Sequence, residues 1–311
     1  MKRTDIPGEF LTPANIRRRC LGTIALGMCL AAPALRAAQL ELRVLIGDQP
    51  TPAARETLAG VTARFPAAVH DSDVQRLTSR AGGAVYAALG VEALQALLDV
   101  DMDSPVLSLL ASSEAYRACL LSRPERRRGS ATALFAEASP GQQLALVRLI
   151  YRRRVTAGVL LTENTAHLAD AIKAAARSAE LDLEFCRLES GENPIRALGR
   201  LASATVLLAV PDRAVISAEN VQAFLEATYR RGMAVVGFSA ALVRAGALAS
   251  VYSTVDEVVA QATLLVEQLL SGQLPVMQFP AYWRVAVNDR VARSLNIPID
   301  HEARSYASPT R

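Results

Sequence analysis

The sequence is poor in the residues that carry most enzyme chemistry. Three histidines, His70, His167 and His301, stand apart from one another, and no HxxxH or CxxC pair is spaced to hold zinc. No GxSxG elbow presents a nucleophile at a strand–helix turn. No GxGxxG follows a strand, because "GGAVYAALG" has the wrong spacing, and no GxxxxGK[ST] loop is there to cradle phosphate. Asp101 and Asp103 in "DVDMDSP" read as a polar loop before a strand. His167, at the start of a helix, reads as an ordinary, partly exposed residue. We therefore expect no catalytic residues, no metal and no cofactor, and a chain that is not an enzyme.

Aromatic residues make up only 5% of the 311-residue chain, whereas 51% is hydrophobic. Such a chain builds its core from Ala, Leu and Val. Its length suits two domains or lobes. The net charge of +4 points away from nucleic acid once it is located. The segment up to Ala38 holds six basic and two acidic residues, so the remainder is close to neutral and has no basic stripe for phosphates.

That N-terminal segment has the layout of an export signal. "IRRR" is a basic region, "CLGTIALGMCLAAPAL" is an apolar run short for a bilayer span, and "APALRAAQ" offers small residues for cleavage after Ala34 or Ala37. A membrane anchor and a buried first helix are the structural alternatives. Arg17-Arg18 fits twin-arginine export weakly, and neither Cys20 nor Cys29 follows the small residue that a lipoprotein needs. We expect residues 1–38 to be a cleaved signal peptide, the processed protein to begin near Leu35 to Gln39, and the location to be periplasmic. Cys119 and Cys186 then remain, far apart in sequence, and read as two buried thiols.

After Ala38 strands and helices alternate. "LELRVLIG", "AAVHDS", "GGAVYAALG" and "SPVLSLLAS" read as strands with helices between them. A charged break, "SRPERRRGS", follows, and then a helix "SPGQQLALVRLIYRRR" with Ser139 as cap. The pattern restarts with "TAGVLLTEN", "DLEFCRL", "ATVLLAVPD" and "MAVVGFS". Runs apolar on both faces and separated by helices predict parallel sheets covered on both sides. The fold class is therefore α/β, with two doubly wound Rossmann-like lobes and a cleft between them. Ligands of such sheets sit beyond the carboxyl ends of the strands. The polar residues there are Gly47-Asp48, Ser112-Ser113-Glu114, Thr162 to Thr165, Pro211-Asp212 and Phe238-Ser239.

From "VLLAVPDRAVISAENV" through "MAVVGFSAALVRAGALAS" to "LLSGQLP", and again in "WRVAVNDRVARSLNIPI", the chain resembles the ABC transporter substrate-binding proteins of the tryptophan/tyrosine type. The likeness runs from about Leu40 to Ile299 and is strongest after Ser139. No short motif is diagnostic; order and spacing carry it. The resemblance implies a periplasmic binding protein-like type I fold. It implies an N-terminal lobe of residues 39–153 with about 252–280, and a C-terminal lobe of 154–251 with about 281–311. It further implies a solute receptor that closes its lobes on a small molecule and presents it to a membrane permease of an ABC transporter. The alternative is a periplasmic interaction or sensor protein of the same fold with no transport role. The chain departs from the family at Ser239-Ala240-Ala241, where Asp or Glu is common, and at Tyr252-Ser253-Thr254, which implies a less acidic cleft. Arg244 either pairs structurally or meets a ligand carboxylate. The expected ligand contacts are Asp48, Ser113, Glu114, Thr162, Asn164, Asp212 and Ser239 at strand tips, with Tyr252 near the hinge. This mostly neutral set suits an uncharged or zwitterionic ligand, amino acid-like among others.

Overall fold

A computed structural model describes residues 40–80, 82–122 and 129–308. The expected signal peptide and most of the charged break "SRPERRRGS" lie outside the described residues. Strands β1 (Glu41–Ile46), β2 (Val69–Asp71), β3 (Ala84–Leu89), β4 (Val106–Leu109) and β5 (Ala131–Leu134) form one sheet, all parallel, in the order β2-β1-β3-β4-β5. A second sheet contains β6 (Thr156–Leu161), β7 (Asp182–Arg187), β8 (Val206–Leu208), β9 (Ala234–Gly237), β10 (Ala249–Tyr252) and β11 (Arg284–Val287). Its order is β11-β10-β9-β8-β6-β7. Both sheets share one winding: the first strand lies between the second and the third, so each has a switch point where ligand crevices open.

Apolar runs without polar interruption explain why both faces are covered. All six residues of β3 are buried. Its alternate side chains enter two cores, Val85, Ala87 and Leu89 on one face and Tyr86 and Ala88 on the other. The second sheet divides in the same way, with Val236 on one face and Val235 on the other. Cys119 and Cys186 are buried free thiols, as expected.

Helix α1 (Pro52–Arg64) starts at a Thr51 cap with proline behind it, and α5 (Pro140–Tyr151) at a Ser139–Gln142 capping box. Helix α10 (Val255–Leu270) has a Thr254–Glu257 capping box and buries Val258, Ala262, Leu265, Val266 and Leu269 against the first sheet. The basic end of α5 is a solvated helix terminus, where Arg152 pairs with Asp300 and Glu302 and Arg154 pairs with Asp182.

One detail differs from the sequence reading. The sheets are not wholly parallel, because β11 pairs antiparallel with β10. An antiparallel edge strand needs no helical crossover, and β11 is reached by an irregular segment after α10. The stretch "ALVRAGALAS" forms α9 (Ala240–Ala245), turns at Gly246 with φ of 130°, and enters β10 inside the second sheet. That positive φ is one a side chain would strain.

Three segments join the two sheets: Phe135–Ser139 between β5 and α5, Ser253-Thr254 between β10 and α10, and Pro280–Trp283 before β11. Side chains tie them together. Gln142 Nε2 donates to Pro280 O at 2.8 Å, and Ser253 Oγ donates to Tyr282 O at 2.6 Å. Gln261, buried on α10, donates to Gln278 Oε1 at 2.7 Å and accepts from Ala281 N at 2.8 Å. Phe135 packs edge-on against Phe279 with ring centroids 5.0 Å apart.

Candidate functional site

The tips of four strands meet around one cavity of about 330 Å³. Leu110, Ser112, Glu114 and Ala115 follow β4, Ala136 and Glu137 follow β5, Pro211 to Arg213 follow β8, and Phe238 and Ser239 follow β9. Both sheets thus contribute walls. The volume falls within the range of ligand pockets, which run from about 300 to 1,000 Å³. Val91, Leu110, Ile216 and Phe238 give the cavity an apolar part. Leu110 enters it through a left-handed backbone with φ of 64°, a conformation that residues other than Gly, Asn and Asp seldom adopt.

Three carboxylates stand in the lining. Asp212 is buried and satisfied by its own lobe: Thr162 Oγ1 donates to Oδ2 at 2.6 Å, Thr165 Oγ1 donates to the same oxygen at 2.8 Å, and Ala214 N donates to Oδ1 at 3.0 Å. Glu114 lies in the first turn of α4 (Ser113–Ser122). Burial and then the charge of Asp212 raise its pKa above the ordinary value, against a smaller opposite pull from Arg213. Glu137 is only 4% exposed. Its Oε1 accepts from Ser113 N at 2.9 Å, and the Ser113 hydroxyl also stabilises the carboxylate charge. Burial raises its carboxyl above the usual range, and the Ser113 contacts pull it part of the way back. Among the described residues, Arg213, exposed at the rim, is the cation in the lining.

Of the residues expected from the sequence, Glu114, Asp212 and Ser239 line this cavity. Ser239 also caps α9 by accepting from Leu242 N at 3.2 Å. Ser113 sits behind Glu137, and Thr162 sits behind Asp212. Asn164 is exposed; its N–H donates to Thr162 Oγ1 and its carbonyl meets His167 Nδ1. Asp48, exposed beyond β1, and Tyr252, half-buried at the end of β10, are not in the lining. Arg244 is exposed on α9. Sequence reasoning missed Glu137. It stands just beyond the four-residue strand β5, in "ATALFAEASP", a strand not recognised between the charged break and α5.

No family model matches the chain, and no curated protein matches it in sequence. Solved structures do match. A ligand-free, open substrate-binding protein with adhesive properties from Clostridium difficile aligns at 16% identity and TM-score 0.62, covering 88% of this chain and all of that one. A conserved domain protein from Vibrio cholerae aligns at 18% identity and 0.59, covering 86% and 99%. An ABC domain in complex with L-Trp from Streptococcus pneumoniae aligns at 16% identity and 0.56, covering 85% and 97%. Identities this low establish the architecture alone: the chain has the two-lobed α/β fold of periplasmic binding protein-like substrate receptors.

Proposed function

We propose that this chain is an exported, periplasmic solute-binding protein that receives a small molecule between its two lobes and closes over it by hinge motion. The observation that carries this reading is the cavity whose walls come from the strand tips of both sheets, so a ligand there touches both lobes at once. A ligand bridging two lobes favours their closed arrangement through the contacts that only closure completes. The lobes are residues 39–153 with about 252–280 and residues 154–251 with about 281–311, changed from the sequence reading in that α5 goes with the second sheet, on which its apolar side chains pack. Residues 1–38 then serve as the export signal. The transport reading adds delivery to an ABC permease, and the L-Trp bound by one structural neighbour makes amino acid-like zwitterions first candidates beside uncharged solutes. Within the sequence-derived site, Glu114, Asp212 and Ser239 face the ligand, Ser113 and Thr162 support them, and Asp48, Asn164 and Tyr252 meet it on closure.

A thermal-shift screen of the exported protein against amino acids, amines, nucleosides and sugars tests this. A binder at a hundredfold excess over Kd adds about 2.7 kcal/mol to stability, a rise of roughly 5–10 °C for a protein of this size. The reading fails if no member of any class at millimolar concentration moves the melting temperature.

A further inference from the structure

We propose that the outer edge of the first sheet is a dimer surface, on which a second copy of this chain packs about a two-fold axis. The inference stands apart from the receptor reading, since none of the residues that form this surface lines the cleft cavity. Seven large hydrophobic side chains are exposed among the described residues. Leu121, Phe185 and Tyr229 lie singly on α4, β7 and α8 (Val221–Arg230), as scattered surface residues commonly do. The other four, Leu264, Leu274, Val276 and Met277, fall close together and are between 50% and 79% exposed. A reversal of the chain gathers them. Helix α10 ends at Leu270, and Gln278 returns to Gln261, whose Nε2 donates to its Oε1 at 2.7 Å. The segment between runs back along the helix and brings Val276 and Met277 beside Leu264, one turn on from Gln261. Gln278 also ties the segment to the sheet. Its N–H donates to Ala133 O at 2.9 Å and its carbonyl accepts from Phe135 N at 3.0 Å, a parallel bridge beside the edge strand β5. The patch is therefore held in place by both the helix and the sheet.

Its chemistry says what covers it. From Gln268 to Trp283 the chain carries no charged residue; Glu267 bounds the stretch on the helix and Arg284 beyond it. An exposed sheet edge is ordinarily guarded by charged side chains, and a surface that meets a membrane sets Lys or Arg beside its apolar residues. This stretch has neither. A two-fold contact sets each patch against itself, so charges there would oppose their like, and a neutral patch meets its own copy without that repulsion. The polar residues beside it are self-complementary as well. Gln268 and Gln273, both exposed, carry amides that donate and accept, so each can pair with its counterpart. The contact is made by side chains rather than by an added strand, because Pro275 and Pro280 bracket the edge segment and have no N–H to give. Four such side chains expose an apolar patch on the order of a few hundred Å², the size that marks a contact site. A standard stable interface buries about 800 Å² per partner, so the dimer formed here is reversible and depends on concentration.

The test is sedimentation velocity of the exported full chain, from micromolar to submillimolar concentration. The expected result is a monomer that gives way to a dimer as concentration rises. Low and high salt should differ little, as suits a contact without charge. Val276→Glu, at a side chain 79% exposed, should weaken the dimer by about tenfold or more, because it sets an unpaired charge in the contact. The melting temperature of the dilute monomer should stay that of the wild type. Val276→Lys should act in the same way. A mixture of the Glu and Lys variants should recover the dimer, since opposite charges then face each other, and a folding defect would not be recovered. A chain that stays monomeric throughout, a dimer indifferent to Val276→Glu, or a mixture no tighter than either variant alone overturns the proposal. So does flotation of the wild type with phosphatidylcholine vesicles that Val276→Glu abolishes, which makes a lipid surface the occupant. The receptor reading is untouched by each of these outcomes.

Discussion

The backbone N–H of Ser113 donates to Glu137 Oε1 at 2.9 Å, joining the start of α4 to the first segment that connects the lobes. The carboxylate is thereby held within the first lobe, and the Ser113 side chain adds to that hold.

The same carboxylate should make the empty protein sensitive to pH. In the folded protein burial raises the pKa of Glu137, and burial with the Asp212 charge raises that of Glu114. In the unfolded chain both titrate near the ordinary value of about 4.3. The unfolded state therefore loses these protons first. Their contribution to stability is complete below the ordinary carboxyl range and is lost as pH rises through the raised folded values. Glu137→Gln removes its share of this loss. Its melting temperature at pH 7 should exceed that of the wild type by about 2–4 °C, corresponding to about 1 kcal/mol. At acid pH the two melting temperatures should converge. A variant that melts below the wild type at pH 7 contradicts the account.

Asp212 is expected to hold the second lobe's rim together. Asp212→Ala leaves the Thr162 and Thr165 hydroxyls and the Ala214 N–H without their acceptor. Each unsatisfied buried group costs about 1–3 kcal/mol, and the loop from Thr162 to Thr165 should loosen with them. Chemical denaturation should show a lower midpoint with unchanged slope, and hydrogen exchange should speed up in that loop. Unchanged stability would mean that the cluster is not structural.

Gln261 is expected to govern the hinge. It binds Gln278 and Ala281 from α10, in the approach to the third connecting segment. Gln261→Leu keeps the bulk and leaves Ala281 N without its acceptor, a loss of about 1–3 kcal/mol. Hydrogen exchange should rise around residues 278–283 and not in the distant β6 and β7. Protection unchanged at 278–283 would remove Gln261 from the hinge.

Much of the fold was legible because its strands are long enough to show their pattern. The apolar stretches of β3 and β6 announce covered parallel strands, and Thr51, Ser139 and Asn193 mark helix starts by side chains that do cap them. The Ala-Thr-Ala-Leu run of β5 holds one large apolar residue and follows the charged break directly, so Glu137 beyond it was not recognised as a strand-tip residue. β11 alternates weakly and is half-buried, and its antiparallel pairing depends on a connection that carries no turn signal. Strand tips identified Glu114, Asp212 and Ser239 because parallel strands aim them at one crevice. They could not show that Asp212 is consumed by its threonine partners, since those contacts join residues about fifty apart.

The most direct measurement is a crystal structure of the protein grown with whichever solute raises its melting temperature. The account predicts ligand density in the cavity between Glu114, Glu137 and the Asp212-Arg213 turn, in contact with strand tips of both sheets. Density elsewhere, for instance in the groove of about 710 Å³ lined by Ala145, Leu149, Ala175 and Tyr306, would contradict it.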